Sequence, residues 1–238
     1  MWNIYFTGDT HGLHDFSKIE YWITKADKKK ILIQLGDWGA LWEDNLEDNK
    51  EVLDKWVYEM NKNNFELFVV PGNHENYNLI FKLPLVDIDL ENVKGKARLL
   101  EWGGRKIYIL TEPELYIDNK KFLVVRGATS VDKLYRVENI SWWVQETLSY
   151  KEEKKILEVI EKNNKFDYVV SHTCPYFLID LLDDLRKKKC SVSKFLDEVC
   201  KKIEFKEWYF GHFHIDRQIR NFICLYDLVI GELDEDLI

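Results

Sequence analysis

Five short segments carry residues able to bind a metal or move a proton: Gly8-Asp9-Thr10-His11, Gly36-Asp37, Gly72-Asn73-His74-Glu75, Ser171-His172 and Gly211-His212-Phe213-His214. Each follows an apolar run of strand type, and together they hold five of the six histidines, His14 being the exception. Histidines that only pack or meet solvent have no reason to gather at strand ends. Asp9 and His11 are two residues apart, as are His212 and His214, and an extended backbone directs such pairs to one side. Imidazole mixed with carboxylate, with no thiolate, suits a borderline divalent ion such as Mn, Fe, Co, Ni or Zn better than Mg or Ca. The seven donors Asp9, His11, Asp37, Asn73, His172, His212 and His214 are too many for one tetrahedral ion. They fit two ions about 3.5–4 Å apart that share a carboxylate, as in two-metal hydrolytic sites. Asp37, at the tip of a central strand, is the natural bridge.

The elements that must position these loops are legible as short apolar runs at residues 2–6, 31–35, 65–70, 107–110, 122–125, 168–170, 208–210 and 222–226. Helical spacing separates the first three, over 15–26 and over 48–62, where Val52, Leu53, Trp56 and Met60 recur. Alternating strand and helix predicts right-handed crossovers and a largely parallel sheet, whose C-terminal loops collect on one edge. From 96 to 127 the pattern becomes a meander of short strands around an Asp118-Asn119-Lys120-Lys121 turn, where a second sheet begins. An amphipathic helix is predicted over 151–163, and further helices over 176–187 and 193–202. No repeat, low-complexity tract or linker interrupts the chain, so residues 1–238 read as a single domain.

Composition narrows the function classes. With 46% hydrophobic and 32% charged residues, 11 Gly and 4 Pro, the 238-residue chain is globular rather than disordered. A net charge of −8 argues against a broad basic surface for nucleic acid or anionic lipid. No signal-peptide pattern opens the sequence and no apolar window is long enough to span a bilayer. Cys174, Cys190, Cys200 and Cys224 form no metal or disulfide pattern and read as reduced thiols, so a cytoplasmic protein is expected.

The order DxH, GD, GNH[ED], H, GHxH resembles that of the calcineurin-like metallophosphoesterases. Any one element is weak, but five in order from Asp9 to His214 are specific. Gly127-Ala128-Thr129-Ser130-Val131-Asp132 and Ile140-Ser141-Trp142-Trp143 are similar to segments of a small bacterial and phage subgroup. The resemblance implies an α/β fold of two packed mixed β-sheets flanked by helices, a four-layer αββα sandwich. It implies Asp9, His11 and His214 on one metal, Asn73, His172 and His212 on the other, and Asp37 between them. It also makes His74 the catalytic histidine beside the scissile phosphate. Two divalent cations lower the pKa of a shared water, so that a bridging hydroxide attacks phosphorus, while His74 acts as general acid or stabilises the leaving oxygen. Manganese is the first expectation, with Fe, Ni, Co or Zn as alternatives.

One departure stands out. Where many relatives continue GDxxDR, this chain has Gly36-Asp37-Trp38-Gly39-Ala40-Leu41, so neither the Asp that orients the histidine nor the Arg that grips phosphate is present. Glu43, Asp44 or Glu75 are the candidates to support His74, and Arg136 or Arg126 to grip phosphate. Trp38 and Trp42 flank the bridging Asp and are candidates for an aromatic wall, although tryptophans more often pack under loops. The basic clusters at 28–30 and 186–189 read as solvated helix ends. The expected substrate is a nucleotide or other small phosphorylated molecule, as mono- or diester. The alternatives are a nuclease acting on single-stranded nucleic acid, a protein phosphatase, which the missing GDxxDR weakens, and a non-catalytic interaction scaffold.

Overall fold

The fold is known from a computed structural model, which describes residues 1–22, 29–182 and 190–232. Three parallel strands form its first half: β1 (Asn3–Thr7), β2 (Lys30–Gln34) and β3 (Phe65–Val69), in register from Asn3 opposite Lys30 to Gln34 opposite Val69. All five residues of β2 are buried, as parallel strands covered on both faces require. Between them lie the short helix α1 (Ser17–Glu20) and α2 (Lys50–Asn63). Leu53, Trp56 and Met60 of α2 supply the predicted apolar stripe, and Asn64 closes the helix in the left-handed conformation. The helix expected over 15–26 is thus four residues long where described, and its remainder at 23–26 lies outside the described residues.

A one-turn helix α3 (Tyr77–Ile80), capped by the Asn76 side chain, leads to β4 (Leu85–Asp87) and the ten-residue β5 (Val93–Trp102). The C-terminal half of β5 pairs with β6 (Arg105–Ile109), which runs parallel to β3. Its N-terminal end pairs with β7 (Glu114–Ile117). This long strand therefore belongs to both halves of the sheet. Asp118 and Asn119 both adopt positive φ in the tight turn from β7 to β8 (Lys120–Val125), the conformation such hairpins need.

Parallel pairing resumes through β9 (Lys165–Ser171) and β10 (Glu204–Phe210), finished by β11 (Arg217–Ile219) and β12 (Phe222–Cys224). The two-residue β13 (Ile230–Gly231) returns to the opposite edge, beside β1. Helices α4 (Tyr150–Lys162) and α5 (Ser191–Cys200) cover the second half. A capping box between Ser149 and Glu152 starts α4. The helix expected over 176–187 is a 3₁₀ segment, Tyr176–Leu182, and 183–187 lies outside the described residues.

Three apolar layers hold the assembly. The central one joins both halves face to face, with Phe6 stacked on Tyr209 at 3.8 Å between ring centres. The outer two lie under α1–α3 and under α4–α5. This is the expected helix–sheet–sheet–helix order. Each fully buried Phe, Ile or Leu contributes about 1.5–3 kcal/mol by leaving water.

Candidate active site

The ends of β1, β2, β3, β9 and β10 converge on one edge, where backbone hydrogen bonds stitch their loops together. Asp9 N–H donates to the Gly36 carbonyl, His11 N–H to that of Asp37, and Gly211 N–H to that of His172. The donors fall into two groups whose ligating atoms lie within 4.8 Å of one another: Asp9, His11, Asp37 and His214, and Asp37, His172 and His212. Asp37 belongs to both. Its Oδ2 lies 3.6 Å from His11 Nε2, and its Oδ1 lies 3.2 Å from His172 Nε2. Asn73 Oδ1, 3.1 Å from His172 Nε2, joins the second group.

Backbone conformation sets this convergence. Asp9, His11, Asp37, His212 and His214 all have positive φ, between 44° and 72°. The spacing of two therefore works through left-handed turns beyond the strand ends, not through the extended backbone expected. Each such residue costs of order 1–3 kcal/mol, a strain typical of functional sites. Room for the cluster is equally specific. A Cβ on Gly36 would sit 2.2 Å from His172 Nδ1, and one on Gly72 would sit 2.4 Å from Asp37 Oδ1.

Partners behind the candidate ligands orient them. His172 Nδ1 lies 2.7 Å from the Leu35 carbonyl, which turns Nε2 toward Asp37. His11 Nδ1 lies 2.7 Å from Asp15, whose other oxygen accepts the Tyr226 hydroxyl, and Tyr226 stacks on His214. Asn73 Nδ2 donates to Ser130 Oγ at 3.2 Å. Ser130 in turn donates its hydroxyl (2.6 Å) and its N–H (2.8 Å) to the buried Glu146 carboxylate. Asp15, Tyr226 and Glu146 lie outside the five motif segments. Asp15 alone leaves a trace, four residues after His11. Burial would lower the pKa of His11 and of His172, but the nearby carboxylates, Asp37 foremost, outweigh it and raise each to about 9. Burial likewise opposes the shift of Asp37, whose carboxyl the surrounding histidines hold well below its ordinary value.

The donor set fits divalent metal: imidazoles and carboxylates, no thiolate, and one carboxylate common to both groups. Residues 3–216 match the profile of the calcineurin-like phosphoesterases. The chain belongs to this family. It is accordingly a metal-dependent phosphoric ester hydrolase. In fold the phosphoesterase is similar to a phosphopantetheinyl hydrolase from Mycobacterium tuberculosis, at TM-score 0.50 and 14% identity over 95% of this chain and 90% of that one. Among curated proteins none matches the sequence. No helix among the described residues is long and apolar enough to cross a membrane.

His74 of the phosphoesterase sits beside the candidate ligand cluster, its ring centre 5.7 Å from that of His11. Arg136 approaches both of its ring nitrogens, at 3.4 Å from Nδ1 and 3.1 Å from Nε2, and is itself held by Asp132 at 2.8 Å. Burial lowers the His74 pKa; Asp37 opposes this and the Arg136 guanidinium adds to it. None of the carboxylates considered for His74 takes that place. Glu75 accepts the backbone N–H groups of Trp38, Gly39 and Gly72, Asp44 accepts from Asn76, and no hydrogen bond joins Glu43 to the ring. Arg126 is buried against Tyr77 and paired with Glu152, which leaves Arg136 as the arginine at the site.

The two tryptophans of the bridging loop part company. Trp42 stacks on His74, with ring planes 22° apart, and borders the cleft. Trp38, expected beside it on the wall, is fully buried with its ring centre 6.0 Å from that of Trp56 on α2, so it has no face for a substrate. Lys29 pairs with exposed Glu91, and Lys30 is buried with Nζ on the Asn63 carbonyl. Lys28 and the cluster at 186–189 lie outside the described residues.

Proposed function

We propose that this phosphoesterase uses two divalent ions, Asp9, His11 and His214 holding one, Asn73, His172 and His212 the other, and Asp37 bridging them. The observation that carries this reading is Asp37, whose two oxygens face separate histidine groups. Manganese is the ion we test first; Fe, Ni, Co or Zn also suit the mixed imidazole and carboxylate set. The ions, when bound, supply the positive charge that offsets phosphate oxygens and lets a water lose its proton near neutral pH. In the hydrolysis the water oxygen ends on phosphorus, the ester P–O bond breaks and the leaving oxygen gains a proton. In this reading His74 donates an N–H to that oxygen, a role open to the neutral imidazole that its environment favours. Arg136, held by Asp132, presents the charge that grips a phosphate oxygen in place of the absent GDxxDR arginine.

The substrate of this reading is a small phosphorylated molecule, a nucleotide among the foremost, met in the cytoplasm where the four free cysteines stay reduced. The manganese-loaded protein is expected to hydrolyse a generic aryl phosphate or bis-aryl phosphate, and Asp37→Asn to abolish turnover. Absence of hydrolysis with every divalent ion tried overturns the reading.

A further inference from the structure

A cavity of about 580 Å³ is bordered by His11 and His74, and its lining is mixed. Leu13, Val52 and the half-buried Trp42 give it apolar surface. Glu43 and Asp48 give it exposed carboxylates. No lysine or arginine stands among its described lining residues. Asn49 also borders it, but its amide is committed elsewhere. Its Oδ1 accepts the N–H groups of Trp42 and Glu43, and its Nδ2 donates to the carbonyls of Glu43 and Asn45. Asn76 Nδ2 adds bonds to the carbonyls of Trp42 and Glu43, while the buried Trp143 packs edge-on against Trp42. The wall is thus held in place before any ligand arrives.

Such a wall offers a flat apolar surface and hydrogen-bond acceptors, and its charge repels a second anion. Resting on the phosphoesterase reading above, we propose that Trp42, Leu13, Val52, Glu43 and Asp48 form a leaving-group subsite. It takes a flat group that bears hydroxyls or amines and no negative charge beyond the scissile phosphate, a nucleoside being the simplest. It turns away leaving groups that carry another phosphate, including nucleic acid. The carboxylates accept from the hydroxyls and amines, and the ring lies along Trp42.

The test compares kcat/KM of the manganese-loaded protein on a nucleoside 5′-monophosphate, the matching 3′,5′-bisphosphate and glycerol phosphate. The monophosphate is expected to exceed the bisphosphate roughly tenfold at low salt, less at high salt where exposed charges are screened. It is expected to exceed glycerol phosphate about fivefold or more. Glu43→Gln with Asp48→Asn should narrow the first ratio several-fold. Trp42→Ala should narrow the second, with Trp42→Phe restoring it. Such ratios cancel any effect of the variants on folding or metal loading. A bisphosphate used as well as the monophosphate, or ratios unmoved by the variants, overturns the subsite. If no phosphate is turned over, the phosphoesterase reading falls, and calorimetric titration with the nucleoside alone still decides the subsite. Binding by the manganese-loaded full chain that weakens in Trp42→Ala supports it; equal binding by both proteins, or none, overturns it.

Discussion

At the scale of single residues, His74 is the group whose setting departs furthest from the expected one. In place of an orienting carboxylate it has the Arg136 guanidinium on its nitrogens and the Trp42 ring against its face. This surrounding favours a neutral imidazole that donates one hydrogen bond and disfavours a charged acid. Since its side chain is outside both ligand groups, His74→Gln is expected to lower kcat by about 10² to 10⁴. The variant should retain the wild-type complement of metal, read by elemental analysis of the dialysed protein. Loss of metal together with activity would make His74 a ligand instead. The role of Glu75 was not legible in its motif: adjacency to His74 pointed to the imidazole, but its oxygens close on three backbone N–H groups from two loops. Side-chain direction at a turn depends on φ, and motif spacing does not carry it.

Among the elements, the segment between β8 and α4 links cleft and ligands. Arg136 reaches His74 from this segment, and Ser130 and Glu146 orient the Asn73 amide so that its oxygen faces His172. Without Ser130 Oγ, the buried Asn73 loses the acceptor that holds its NH₂ away from the metal side. With two ions bound as proposed, Ser130→Ala is therefore expected to weaken one of them by about 10- to 100-fold while sparing the other, the usual size of such outer-shell effects. A metal titration followed by calorimetry separates the two sites; uniform weakening, or none, would deny Ser130 this role. Strands and long helices were readable because their apolar periods are strong. This segment was not, since its order comes from contacts with the loop after β3 and with α3, both distant in sequence.

Over the whole molecule, strand ends from both halves of the sheet bring positive-φ residues, buried carboxylates and histidines to one place. His11 and His172, titrating near 9, are protonated at neutral pH, and a divalent ion takes only the neutral ring. Their raised pKa stabilises the chelated chain fully below about pH 6.5, and this contribution fades as pH rises through about 9. Manganese binding follows the opposite trend, releasing protons and tightening over the same interval. The gain in Tm on adding manganese to chelator-treated protein is thus expected to grow from pH 6.5 to 8.5. Scanning calorimetry reads this directly, and a gain that shrinks with pH would contradict the assignment of these histidines as ligands.

Donor types, their order along the chain, the strand–helix alternation and the change to a meander near residue 96 are properties of local sequence, because residue chemistry and apolar period are local quantities. The partition of the donors around Asp37, the left-handed turns that aim them, the burial of Trp38 against α2 and the meeting of Arg136 with His74 belong to the assembled molecule. Each depends on where loops from separate strands end relative to one another. That is set by packing two halves of a sheet face to face, which no spacing along the chain encodes.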